Sequence, residues 1–181
     1  MATPQTASYW IDRLALEPHP EGGYFKEVYR SAAQIGECCS GGDRGGSRSV
    51  STAIYYLLSG GEFSALHRLR SDEIWHHYAG GSLMVHMIDS AGGHRALGLG
   101  LDLDAGQTPQ VTVPAGSWFG AVVNDASSYC LVGCTVAPGF DFRDFELADR
   151  AELVGLYPQH RGIIERLTKG RGRASPSRPR R

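Results

Sequence analysis

No stretch of the chain approaches the ~20 consecutive apolar residues of a membrane-spanning helix. Residues 1–9 also lack the basic region followed by an apolar one that marks a secretory leader. Both absences point to a cytoplasmic protein with no membrane partner. Cysteine is scarce: Cys38, Cys39, Cys130 and Cys134 are the only four, and their spacing fits neither a zinc knuckle nor a redox Cys-x-x-Cys pair. Cys130 and Cys134 share parity within an apolar run and read as buried free thiols. The 24 glycines follow no fixed period, which excludes a collagen-like chain and favours a turn-rich globular one. Charged residues make up only 20% of the chain and nearly cancel, but unevenly. Up to His160 there are 10 Lys/Arg against 18 Asp/Glu, and from Arg161 onward 8 against 1. The acidic body repels phosphate, so nucleic acid is not expected as a partner. The basic tail, 169–181, has no apolar residue to anchor it and reads as a disordered end.

What is present fits one domain, spanning 1–168 of the 181 residues. Trp10, Ile11 and Leu14 give residues 8–16 a helical stripe that Pro18 and Pro20 stop. The period then switches to two, over segments 24–30, 50–58, 64–70, 73–78, 82–88, 94–101, 109–113, 118–122 and 128–136. These runs are rich in Val, Ile, Tyr, Leu and Trp and are separated by Gly-containing turns, the pattern of an antiparallel barrel or sandwich. Segment 34–49 carries Gly36, Gly41, Gly42, Gly45 and Gly46 and reads as a mobile loop. Helical periodicity returns over 149–156 and 159–167. The expectation is an all-β barrel with a short N-terminal helix and C-terminal helices.

Two motifs carry chemistry. Five residues lie between Gly61 and His67 and six between Glu73 and Gly80, and downstream stands Pro114-Ala115-Gly116-Ser117-Trp118-Phe119. Together they resemble the two cupin motifs, which implies a double-stranded β-helix, the jelly-roll cupin barrel. The family's metal-binding positions would fall on His67, Leu69, Glu73 and Phe119, so only His67 and Glu73 keep their ligand character. A divalent metal ion held by His67 and Glu73 is thus a possible cofactor with an incomplete ligand set. His77 shares their parity but lies roughly 13 Å along an extended strand from Glu73.

A second resemblance rests on His19-Pro20-Glu21-Gly22-Gly23-Tyr24-Phe25-Lys26-Glu27-Val28-Tyr29-Arg30-Ser31, on Ser71-Asp72-Glu73-Ile74-Trp75-His76 and on Cys134-Thr135-Val136-Ala137-Pro138-Gly139-Phe140-Asp141-Phe142. These resemble the cupin family known as DUF985 or Cupin_5, over about 14–157. Its members look like the sugar-nucleotide epimerases of the dTDP-rhamnose pathway in fold and form dimers, so a homodimer is expected. By likeness to those epimerases Phe25, Glu27 and His67 would face a ligand. The epimerases' Tyr acid after a Cys-Thr pair is missing here, since Cys134-Thr135 leads to Val136, Ala137 and Pro138.

The residues themselves suggest a His67/Glu73 pocket in which the carboxylate orients the imidazole for general acid/base catalysis. Tyr24, Tyr56, Trp75, Trp118 and Phe119 could stack a flat ligand or sugar, and Arg30 could meet an anionic group, with Phe25, Glu27 and His77 completing the set. The expected ligand is a small polar or anionic metabolite, such as a sugar or nucleotide-sugar derivative. Three functions stay open: an isomerase- or epimerase-like enzyme, a non-catalytic sensor or storage cupin, and a metal-dependent oxygenase or isomerase.

Overall fold

The structure is a computed structural model that describes residues 5–36 and 45–170. Cys38, Cys39, the middle of the glycine-rich segment and the tail from 171 lie outside the described residues. The chain opens with α1 (Ala7–Leu14), whose N-terminus is capped by the Thr6 hydroxyl accepting from the Tyr9 N–H. The strands follow as β1 (Glu17–Pro18), β2 (Tyr24–Arg30), β3 (Gln34–Ile35), β4 (Arg48–Ser49), β5 (Thr52–Ser59), β6 (Phe63–Leu69) and β7 (Asp72–Gly80). After them come β8 (Leu83–Ile88), β9 (His94–Leu99), β10 (Gln110–Val113), β11 (Trp118–Val123), β12 (Tyr129–Ala137) and β13 (Phe145–Leu147). Two short helices, α2 (Arg150–Leu156) and α3 (Arg161–Arg166), end the described chain.

One sheet runs β1-β2-β5-β12-β7-β10 and the other β13-β6-β11-β8-β9. Their inner faces enclose a common interior, the double-stranded β-helix that the motifs imply. Each of the nine alternating segments became a strand, with its ends displaced by no more than two residues. The ends of the glycine-rich segment pair with each other, Gln34 with Ser49 and Ile35 with Arg48, and do not run as open loop. The short strand β13 lies where charge spacing suggests only a turn before a helix; it pairs along β6, Phe145 opposite Leu69 and Leu147 opposite His67.

Alternation sorts the apolar side chains into three layers. Tyr56, Leu58, Trp75, Phe119, Cys130, Val132, Cys134 and Val136 fill the interior. Leu57 and Leu131, on the opposite parity, face outward and are covered by Trp10, Ile11 and Leu14 of α1. Leu66, Ile88 and Trp118 face outward from the second sheet and are covered by Leu153 of α2 and Ile164 of α3. Each terminal helix thus shields a strand face that water would otherwise reach, and a fully buried Leu or Ile contributes roughly 1.5–3 kcal/mol. Cys130 and Cys134 are buried free thiols, as their parity implies.

Candidate functional site

The interior is not filled to its end. Between the sheets a cavity of about 310 Å³ opens, with His19, Glu21, His67, Glu73, Tyr56 and Trp75 toward its floor and Phe25, Phe140, Phe142 and Phe145 among its walls. The segment His19-Pro20-Glu21-Gly22-Gly23 turns back on itself between β1 and β2, with the Gly22 N–H donating to His19 O and the His19 N–H to Gly23 O. Gly22 takes φ +125°, and a Cβ there would stand 2.4 Å from the Phe63 carbonyl oxygen, so only glycine fits. The Ala65 N–H donates to Glu21 O and the Tyr56 hydroxyl to Gly22 O, which stitches the turn to β6 and β5. Glu21 is thereby driven into the interior.

His67 meets this carboxylate and not that of Glu73. His67 Nε2 stands 3.2 Å from Glu21 Oε2, His19 Nδ1 stands 3.4 Å from the same oxygen, and the Ser64 hydroxyl donates to Glu21 Oε1 at 2.8 Å. The pairing of His67 with Glu73 expected from the sequence is corrected accordingly: both residues line the cavity, but the imidazole's charge partner is Glu21. His67 Nδ1 lies 2.7 Å from Ala65 O, and because a carbonyl only accepts, Nδ1 carries the proton. Burial pulls the imidazole below its ordinary 6.5, and Glu21 offsets this only in part. Burial thus favours the neutral imidazole, while the Glu21 carboxylate 3.2 Å from Nε2 stabilises the imidazolium once a proton arrives. Burial opposes ionisation of Glu21, but the charge of His67 and His19 when protonated, with hydrogen bonds from His19 and Ser64, more than offsets it and holds the group at about 2.

Glu73 is in the opposite state. Burial and the nearby Glu21 charge push it to about 8, and Cys134 and Trp75 close by favour its ionised form only slightly. Near neutrality it is mainly a neutral carboxyl, a donor. Its Oε2 and the Trp75 indole Nε1 are buried without a hydrogen bond of ordinary geometry.

The remaining expected ligand-binding residues divide between the cavity and other layers. Phe25, Glu27, Arg30, Tyr56 and Trp75 line the cavity. Strict alternation would put Glu27 and Arg30 on opposite faces, but a bulge at Val28 brings both to the mouth, since Glu27 pairs with Ile54 and Tyr29 with Ala53. There Glu27 accepts from Arg30 Nε at 2.9 Å and from Nη2 at 2.6 Å. Tyr24 belongs to the layer under α1. Trp118 lies under α2 and α3 with the Arg68 guanidinium 4.6 Å over its ring. These two are not cavity residues, because their side chains project from the outer faces of their strands. Phe119 is interior packing and backs His67 with ring centroids 4.0 Å apart. His77 is not a cavity residue; its Nε2 contacts Gly81 O at 3.2 Å, by the turn that ends β7. His19 and Glu21, absent from the expected set, were legible only in the His19-Pro20-Glu21-Gly22-Gly23-Tyr24 motif itself.

Cupins as a fold family imply a metal ion, and the residues here do not fit one. Leu69 and Phe119 supply only carbon at two of the four motif positions, which leaves His67 and Glu73 as the donors there, fewer than the three or four a tight site needs. Among the described residues no group of three or more His, Cys, Asp or Glu is arranged to hold a metal ion. The expected metal site of His67 and Glu73 is corrected on these grounds.

The two facing antiparallel sheets and the pocket between them define a cupin. The chain belongs to the Cupin_5 family, "Cupin superfamily (DUF985)", whose pattern matches residues 8–148. A hypothetical protein from Leishmania major has a similar structure, with 39% identity, TM-score 0.84 and coverage of 92% of this chain and 100% of that one. A protein from Shewanella oneidensis is similar at 42% identity and TM-score 0.82, covering 92% of this chain and 99% of that one. In sequence the chain is 28% identical to an uncharacterized protein of Saccharomyces cerevisiae, over 78% of this chain and 74% of that protein. No described helix is long and apolar enough to cross a membrane.

Proposed function

We propose that the cavity binds a small carbonyl compound and moves a proton on it, an isomerase- or epimerase-type reaction with His67 as base and Glu73 as acid. One observation carries this reading: an imidazole whose charging is opposed by burial and a carboxyl whose ionisation is opposed by burial line the same aromatic-walled cavity. His67 Nε2 takes the proton from the carbon beside the carbonyl, and the C–H electrons form the new C=C bond. The carbonyl π pair moves onto oxygen, which takes the Glu73 proton, giving an enol. The imidazolium then returns its proton to the neighbouring carbon while the Glu73 carboxylate takes the proton of the enediol's other hydroxyl, which moves the carbonyl by one carbon and resets both residues. Glu21 stabilises the imidazolium in between, and Glu73 supplies the acid for which the Cys134-Thr135 segment offers no tyrosine.

The test is deuterium uptake at the carbon next to the carbonyl, followed by NMR in D2O over a panel of aldoses, ketoses and simple ketones. Uptake that falls about 100-fold or more in His67→Ala and in Glu73→Ala supports the reading. No uptake with any compound, or uptake equal in His67→Ala, overturns it and leaves binding without turnover, the sensor or storage role. A homodimer is part of the proposal, supported by exposed Tyr29 and Tyr78; light scattering on the purified chain reads it directly.

A further inference from the structure

Charge at the cavity mouth decides which molecules enter. Among the described residues lining the cavity Arg30 is the one permanent cation, and Glu27 already holds it through both oxygens, at 2.9 and 2.6 Å. Its remaining Nη1 donates to Phe140 O at 3.1 Å. Asp141, also in the lining, is gripped by Arg143 Nε at 2.9 Å and Nη2 at 2.8 Å. Behind it Arg48 donates to Asp144 at 2.8 and 2.9 Å. The rim is thus built of closed, two-pronged pairs, and an anionic ligand would have to evict a carboxylate to reach a guanidinium.

Farther in the case against an anion strengthens. Phe25, Tyr56, Trp75, Phe140 and Phe145 offer ring faces and edges, and the ionised group on the floor is the Glu21 carboxylate. A phosphate or carboxylate would leave water for apolar walls and a like charge. On the floor the Glu73 carboxyl has Cys134 and Trp75 close by, and Glu73 Oε2 and Trp75 Nε1 are buried without a hydrogen bond of ordinary geometry. A neutral carboxyl accepts through its C=O and donates through its O–H, and that O–H calls for an acceptor oxygen. A cationic ligand that carries only N–H donors leaves the O–H unmet.

We infer that the cavity selects an uncharged ligand with a flat or apolar body and a carbonyl-type acceptor directed at the Glu73 carboxyl, and that it rejects anions, nucleotides among them. This rests on the proposed function for its carbonyl, and it narrows the polar-or-anionic expectation to the uncharged half.

Three probes of one shape separate the charge states: benzamide, benzoate and benzamidinium, titrated at pH 7 by calorimetry and by Trp fluorescence. Benzamide binds, and the other two bind at least about tenfold more weakly. Benzoate or benzamidinium binding as tightly as benzamide overturns the inference, and so does failure of all three to saturate by about 10 mM. Glu27→Gln uncovers Arg30, so it strengthens benzoate binding several-fold relative to benzamide; no relative gain for benzoate overturns the rim argument. Benzamide has no hydrogen on the carbon beside its carbonyl and cannot undergo the proposed proton transfer. Charge selection without any deuterium uptake therefore removes the reaction and keeps the ligand class, while uptake without charge selection does the reverse.

Discussion

Glu21 Oε2 stands 3.2 Å from His67 Nε2, joining the turn before β2 to the middle of β6. The contact forms because two glycines let the chain double back where a side chain would strike the Phe63 and Leu57 carbonyls. It gives the buried imidazole a countercharge and leaves Glu73 as a separate, protonated carboxyl.

Two groups in opposite states make a bell-shaped pH profile. Deuterium uptake rises with pH as His67 loses its proton, below pH 6.5 in the free protein, and falls as Glu73 ionises near pH 8. Glu73→Gln keeps a donor but cannot ionise, so its residual uptake loses the alkaline limb. A profile with the same alkaline limb in that variant removes Glu73 as the acid.

The same carboxyl sets a stability slope. A raised carboxyl pKa means that the folded state binds more protons than the unfolded one between the ordinary 4.5 and about 8, so stability falls as pH rises through that window. Replacing Glu73 by Gln removes this loss and makes the variant more stable than the parent at pH 9, by on the order of a few kcal/mol. Urea midpoints at pH 5, 7 and 9 measure it; a parent protein equally stable across the range counts against burial of an ionising Glu73. Glu21 acts in the other direction: its lowered pKa adds stability above pH 4.5 that is lost as pH falls toward 2.

Much of the architecture was legible because short apolar runs with one face buried tend to period two and are set off by turn residues. Alternation failed where the backbone departs from it. The bulge at Val28 carries Arg30 to the cavity side, and the uniformly buried β11 hides which face Trp118 takes. In β11 both faces are covered, one by the interior and the other by α2 and α3, so hydrophobicity carries no sign of direction.

Gly22→Ala tests the turn. With φ +125° and a Cβ contact of 2.4 Å to backbone, it costs about 2 kcal/mol or more and disturbs Glu21. Gly61→Ala, at φ +82° with nothing within 4 Å, costs about 1 kcal/mol and leaves the site alone. Denaturant melts of the two variants, with benzamide binding as the site readout, compare them; equal losses would deny the turn its special role.

Metal affinity should follow the donor set. After dialysis against Zn2+ and then metal-free buffer, the wild-type chain retains less than about a tenth of an ion. The double variant Leu69→His with Phe119→His restores the two missing donors and raises retention toward one ion per chain. Elemental analysis reads both, and a wild-type content near one ion contradicts the fit described above.

The amino-acid order by itself determined the strand and turn positions, the terminal helices and the presence of an imidazole and a carboxylate on the cupin motif, since these depend on local periodicity and spacing. Only the tertiary structure decided that Glu21, far away in the chain, serves His67, and that Glu73 holds its proton. Both outcomes depend on which groups share a buried space from which water is excluded, and that is a property of the closed barrel.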